Sequence, residues 1–177
     1  GLTSEEAMLF TASKSHFVLE KGQKKLIVSL TGINKGIKYT KTFTFFPGKY
    51  AINLSQTVKN TTSQTWNGSF YNQIVRAKPD TKHSVFSRGS VNGGAISSPQ
   101  TPYQKLSYKE MQKSDLSRVI KNGWVAMQQH YFLSAWIPKK GTPNQYYSHF
   151  DGSLYTLGFT SPAVNLKPGE SVTHQTV

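Results

Sequence analysis

The side chains able to do acid, base or metal chemistry in this 177-residue chain are few: eight acidic residues and five histidines. Glu5, Glu6, Glu20, Asp80, Glu110, Asp115, Asp151 and Glu170 are scattered apart from the adjacent Glu5 and Glu6, so the spacing offers no acid and base dyad of the glycosidase kind. His16, His83, His130, His149 and His174 never fall at the short spacings that set two imidazoles around a zinc ion. No Gly-x-Ser-x-Gly elbow occurs, and the absence of cysteine removes thiol nucleophiles, disulfides and thiolate metal sites together. Asp151, followed by Gly152, reads as a turn former. The expectation is a protein that is not an enzyme and has no catalytic, cofactor-binding or metal-binding residues.

Binding is the remaining class of chemistry. Trp66, Tyr71, Tyr103, Tyr146 and Tyr147 combine flat faces with polar edges and are the candidate lining of a groove for sugar or peptide. A carbohydrate-binding module requires such rings to converge on one groove. Arg88, Gly89 and Ser90 have the composition of an anion-binding nest. No lysine followed by Ser or Thr opens a helix there, so the turn reads as an ordinary surface loop. The sequons at Asn53, Asn60 and Asn67 carry meaning only in a eukaryotic secretory setting.

A formal net charge of +13 invites an anionic partner. Only Arg76, Arg88 and Arg118 among the 21 basic residues are arginines, and the lysines stand mostly as singles or as the pairs Lys24-Lys25 and Lys139-Lys140. Nucleic-acid recognition leans on clustered arginine with interleaved aromatics, so nucleic acid is not expected. An anionic membrane surface is compatible with dispersed lysines.

The elements that must position these residues are strands. Aromatics make up 12% of the chain while the helix-favouring residues Ala, Leu and Glu are sparse, which argues against a helical bundle. Residues 37–46 and 50–58 alternate and are joined by Pro47, Gly48 and Lys49, which predicts a hairpin. Shorter strands are expected at 17–20 and 26–30, a further strand at 65–76, and another at 103–108. Ser4 heads a possible single helical turn through Met8, and Lys109 to Ser114 reads as a helical turn running toward a stop at Asn122 and Gly123. Residues 77–102, rich in Gly, Ser and Pro, read as one long irregular excursion. The tail repeats the hairpin pattern at 145–150 and 154–160 around Asp151, Gly152 and Ser153, followed by two short strands. One mainly β domain over residues 1–177, an antiparallel sandwich with few short helices, is the expected architecture. No run approaches the roughly 18 apolar residues of a membrane span.

Gly123 to Pro138 holds two of the three tryptophans and reads as two strands joined at Gln129 to Tyr131. Its Gly123-Trp124-Val125-Ala126-Met127, central Tyr131 and Phe132, and closing Ala135-Trp136-Ile137-Pro138 resemble the signature of the large periplasmic domain of YidC-type bacterial membrane protein insertases. Lys41-Thr42-Phe43 with Gly48 and Tyr50 before a strand ending in Val58 and Asn60 resembles the central hairpin of that domain, as does Phe86, Arg88 and Gly89 leading to Lys105.

The resemblance implies an incomplete β-supersandwich of the galactose mutarotase-like kind, truncated at both ends relative to the family domain and lacking the membrane helices. It further implies an auxiliary interaction module on the periplasmic side of the bacterial inner membrane. Its partners would be nascent membrane proteins and Sec translocon accessory subunits, with a cleft suited to extended polypeptide. Gly123, Trp124, Tyr131, Phe132, Trp136 and Pro138 are expected to be structural, core-forming members of the signature.

Overall fold

Alternation of side chains across a pleated strand converts the period-two runs of this sequence into antiparallel sheets. The computed structural model describes residues 8–78, 92–129 and 131–177. The Ser4 turn, the Arg88-Gly89-Ser90 turn with Phe86, and Asp80, His83 and His130 lie outside those residues. Two compact units are found, one made of Gly1–Gly68 with Ala163–Val177 and the other of Ser69–Pro162.

The first unit is built on a five-stranded antiparallel sheet. Strands β1 (Thr11–Ala12), β2 (Leu26–Asn34), β3 (Ile37–Phe45) and β4 (Asn53–Asn60) meander in order, and β15 (Ser171–Thr176) pairs with β4. Val28, Phe43 and Leu54 stand in register on one face, as do Tyr39, Val58 and Val172. The opposite face is hydroxylic: Ser29 and Thr42 lie 3.1 Å apart, and Thr57 and Thr173 2.8 Å apart. A separate pair joins β5 (Trp66–Gly68) to β14 (Val164–Leu166). The predicted strand at 50–58 starts later, at Asn53, and Tyr50 is fully exposed. Residues 17–20 form no strand: although Phe17 and Leu19 are half-buried, no neighbour pairs with them among the described residues.

Asn60 binds this unit together. Fully buried, its Nδ2 donates to the carbonyls of Gln64 (2.7 Å) and Leu166 (2.9 Å), and its Oδ1 accepts from the Thr62 amide (3.0 Å) and hydroxyl (2.8 Å). Its own amide donates to Glu170 O, and its carbonyl accepts from Gly169 N, each at 2.9 Å. The nitrogen that a sequon would offer for glycosylation is thus buried and occupied.

The second unit stacks two four-stranded antiparallel sheets. One has the order β11 (Phe132–Trp136), β10 (Trp124–Gln129), β7 (Gly93–Ser97), β8 (Gln104–Leu106); the other runs β6 (Tyr71–Ala77), β13 (Leu154–Thr160), β12 (Pro143–Phe150), β9 (Ser117–Lys121). Ile96, Val125 and Met127 of the first sheet meet Tyr146, Tyr155, Leu157 and Phe159 of the second in one buried cluster. Each fully buried Leu or Phe there stabilises by about 1.5–3 kcal/mol relative to exposure. Helix α1 (Tyr108–Lys113) closes one end and inserts Met111 into the cluster. Its capping box is complete: the Ser107 amide donates to Glu110 Oε2 at 2.7 Å, and the Glu110 amide donates to Ser107 Oγ at 3.3 Å. The Ser107 hydroxyl and amide, both donating to Glu110 Oε2, hold the Glu110 carboxyl below its usual range, the hydroxyl contributing most.

Three expectations are corrected in this unit. The predicted strand at 65–76 divides at Ser69 and Phe70 into β5 and β6, which belong to different sheets. The glycine-rich stretch taken as irregular contains β7, an interior strand buried at every position. A Cβ on Gly93, at φ 131°, would stand 2.7 Å from Leu106 O of β8, and one on Gly94 2.9 Å from Leu157 Cδ2 of the facing sheet, so the glycines that read as breakers let this strand lie close to both. The helical turn does not run on to Asn122, because Ser117–Lys121 pairs with β12 as an edge strand.

Candidate functional site

On the side of the second unit where β8 and β9 are the last strands of their sheets, an open cleft of about 450 Å³ lies between the two edges. Ser97, Ser98 and Gln104 line one wall and Arg118, Val119 and Ile120 the other. Arg118 Nη1 donates to Gln104 Oε1 at 2.9 Å, joining the walls. Ile120 turns into the core, whereas Val119 is 68% exposed. Since β9 pairs only with β12, its other backbone edge is open among the described residues. Such an edge beside a mixed polar and apolar cleft suits an extended polypeptide, which would add main-chain hydrogen bonds as a further strand. Sequence reasoning missed this site because β9 has a single buried position and no alternation of hydrophobicity to reveal it.

The signature segment splits into a packed end and an exposed end. Asn122 sits at φ 63°, in the left-handed region, and its Oδ1 accepts from Gly141 N at 2.8 Å. Gly123 follows in a space with no room for a side chain, since a Cβ would stand 2.3 Å from Ser97 O and 2.9 Å from Ile120 Cγ2. Trp124 is half-buried with its ring 6.3 Å from Tyr103, and Trp136 Nε1 donates to Gln73 O at 3.1 Å. Pro138 is buried. Tyr131 and Phe132, expected to be core-forming, are instead 84% and 76% exposed: Tyr131 lies outside the β10–β11 ladder, and Phe132 closes that ladder opposite Gln129 on the edge strand of its sheet.

Of the candidate aromatics, the four tyrosines lie in the second unit, not all on one face, and Trp66 lies in the first. Tyr146 is fully buried against Phe159 (centroids 5.5 Å apart), and burial pushes its phenol well above the ordinary range, opposed in part by the Gly123 backbone. Its neighbour Tyr147 faces the other way and reaches across Gly158 to donate to Gln73 Oε1 at 2.8 Å. Tyr71 shares that outer face and, after the larger effect of burial, helps raise the Tyr147 phenol. Tyr103 belongs to the other sheet, where its hydroxyl donates to Gln128 Oε1 at 2.9 Å. Trp66 belongs to the first unit, edge-on to Tyr39 (6.4 Å) and folded over Gly68, where a Cβ would meet its ring at 2.2 Å.

Among the described histidines, His149 Nδ1 lies 2.9 Å from Asp115 Oδ2. This histidine and carboxylate pair does not occupy a groove: both side chains are more than half exposed, and His149 points outward from β12, opposite to Tyr146 and Ser148. His16 is exposed, and burial holds the His174 imidazole below its usual range. No group of three or more potential metal ligands occurs among the described residues. Asp151 caps its turn, its Oδ1 accepting from Leu154 N (2.7 Å) and Ser153 N (2.9 Å), which lowers its carboxyl.

The arrangement of sheets defines a galactose mutarotase-like β-sandwich. Galactose mutarotase-like proteins from Clostridium acetobutylicum and Lactobacillus casei each align with 94% of this chain at a TM-score of 0.56 and 10% identity, over 64% and 71% of their own lengths. At that identity the likeness speaks for fold alone. The chain matches the YidC periplasmic domain model over residues 1–177 and belongs to that family. It is 48% identical over 178 residues to a membrane protein insertase YidC from Coxiella burnetii and 40% identical over 164 residues to one from Legionella pneumophila. These alignments cover 95% and 91% of this chain but only 31% and 30% of those proteins. No helix among the described residues is long and apolar enough to cross a membrane.

Proposed function

We propose that this chain is a noncatalytic interaction module of a membrane protein insertase, placed on the periplasmic side of the bacterial inner membrane. Both compact units are read as parts of one domain. The module engages extended polypeptide, namely nascent inner-membrane proteins and accessory subunits of the Sec translocon, and so assists insertion and folding carried out elsewhere in the insertase. The observation that carries this reading is the edge of β9, unpaired among the described residues, beside the cleft bridged by Arg118 and Gln104. The net charge of +13 supports residence beside anionic lipid. No step requires a cofactor.

A photoreactive amino acid at Val119 of the full-length insertase tests the polypeptide reading. Crosslinks to a nascent membrane protein or to a Sec accessory subunit are expected, and a probe at Lys59 of the first unit serves as the control. Equal labelling at both positions, or none at Val119 during active insertion, would sink it.

A further inference from the structure

We propose that the tip of the β10–β11 hairpin is a bilayer contact that enters the interfacial region of an anionic membrane. The proposal rests on the reading of this chain as a domain beside a membrane and names the surface that would meet it. Tyr131, Phe132 and Leu133 are consecutive and 84%, 76% and 62% exposed. Exposed single apolar residues are ordinary, whereas three in a row at one end of an edge strand leave apolar surface on both of its faces. Two rings and a leucine with a phenolic hydroxyl suit the headgroup level, where amphipathic aromatics settle.

Charge selects the occupant. Leu106 at the end of β8 is in register with Gly94, Gly94 with Met127 and Met127 with Ser134, so α1, which starts at Tyr108, leaves the sheet at the same end as the tip. Lys109 and Lys113 of α1 are exposed there. At the end of β6, the Arg76 guanidinium lies 6.0 Å from the centroid of the Tyr108 ring, and Lys78 Nζ lies 5.9 Å from that of Phe150. The three acidic groups around α1 and the β12–β13 turn are Glu110, bonded to Ser107, Asp151, bonded to Ser153 and Leu154, and Asp115, paired with His149, and they are outnumbered by Lys109, Lys113, Arg76 and Lys78. The result is an apolar tip accompanied by cations, the combination that binds anionic lipid interfaces. A second copy docking by the same surface would bring like charges together.

Vesicle flotation of the 177-residue chain tests this with phosphatidylcholine vesicles and with vesicles containing phosphatidylglycerol, at low and high salt. Near-ultraviolet circular dichroism monitors the fold. Binding to the anionic vesicles is expected, weakened roughly tenfold by Phe132→Ser with Leu133→Ser and roughly tenfold by Lys109→Glu with Lys113→Glu. Phe132→Trp, which keeps an apolar group, is expected to bind as the parent does and to add blue-shifted fluorescence quenched by brominated acyl chains. If the parent binds anionic vesicles but the Phe132 and Leu133 variant binds equally well, the hairpin proposal fails while the membrane-side reading stands. If the parent ignores anionic lipid, both fail. A dimer abolished by the same pair of substitutions, without vesicle binding, would identify a second copy as the occupant and overturn the proposal.

Discussion

The two ends of strand β10 are built for opposite purposes. At its start, Asn122 and Gly123 turn the chain so tightly that Ser97 O, Ile120 and Tyr146 leave no volume for a methyl group. At its finish, Tyr131 and Phe132 stand almost wholly in solvent. One run of aromatic-rich sequence therefore serves both as a packing element and as an outward-facing surface, and residue type alone does not distinguish them. Trp136 turns back to the β6 backbone and belongs to the packing part, whereas Phe132, on the same strand, does not.

Substitutions can break or sharpen that contrast. Gly123→Ala is expected to destabilise most, by about 3 kcal/mol in chemical denaturation, because the nearest obstacle is backbone and cannot rotate away. A smaller loss would mean that the β9–β10 turn yields. Asn122→Ala removes the acceptor for Gly141 N and places an alanine at positive φ, for a loss of about 1.5 kcal/mol. Trp136→Phe keeps most of the packing but leaves Gln73 O without the indole donor, which should cost about 1 kcal/mol. Phe132→Ser should change stability by no more than about 0.5 kcal/mol, since little burial is lost. A large effect there would show that the tip packs against something in the folded state and would erase the contrast.

The sequence discloses the hairpins best where one face is apolar and the other hydroxylic. Residues 37–46 read correctly because Tyr39 and Phe43 alternate with Thr40, Thr42 and Thr44, and β3 indeed spans Ile37–Phe45. The tail hairpin is legible through Asp151, whose carboxylate is held by the amides that its turn presents. Strand β7 stayed hidden because glycines carry no periodic signal, and their use here is close approach, which depends on Leu157 far along the chain. The burial of Tyr146 is hidden for a related reason. On β12 the inward face carries Asn144, Tyr146 and Ser148 and the outward face Gln145, Tyr147 and His149, so polarity gives no clue to which tyrosine is buried. The cleft between β8 and β9 arises from the ends of two sheets, a property of topology that no local pattern announces.

The position of Asn60 also dictates an order of events. Its amide partners include Leu166, and its backbone partners lie at Gly169 and Glu170, so the first unit cannot close until the chain has been made past the whole of the second. The second unit, Ser69–Pro162, is drawn from uninterrupted sequence and has all its strands in hand earlier. During vectorial synthesis β2, β3 and β4 therefore have no β15 to pair with at a stage when every strand of the second unit is already present. Hydrogen exchange on nascent chains stalled after the second unit has emerged is expected to show protected Val125 and Leu157 amides while the Val58 amide still exchanges.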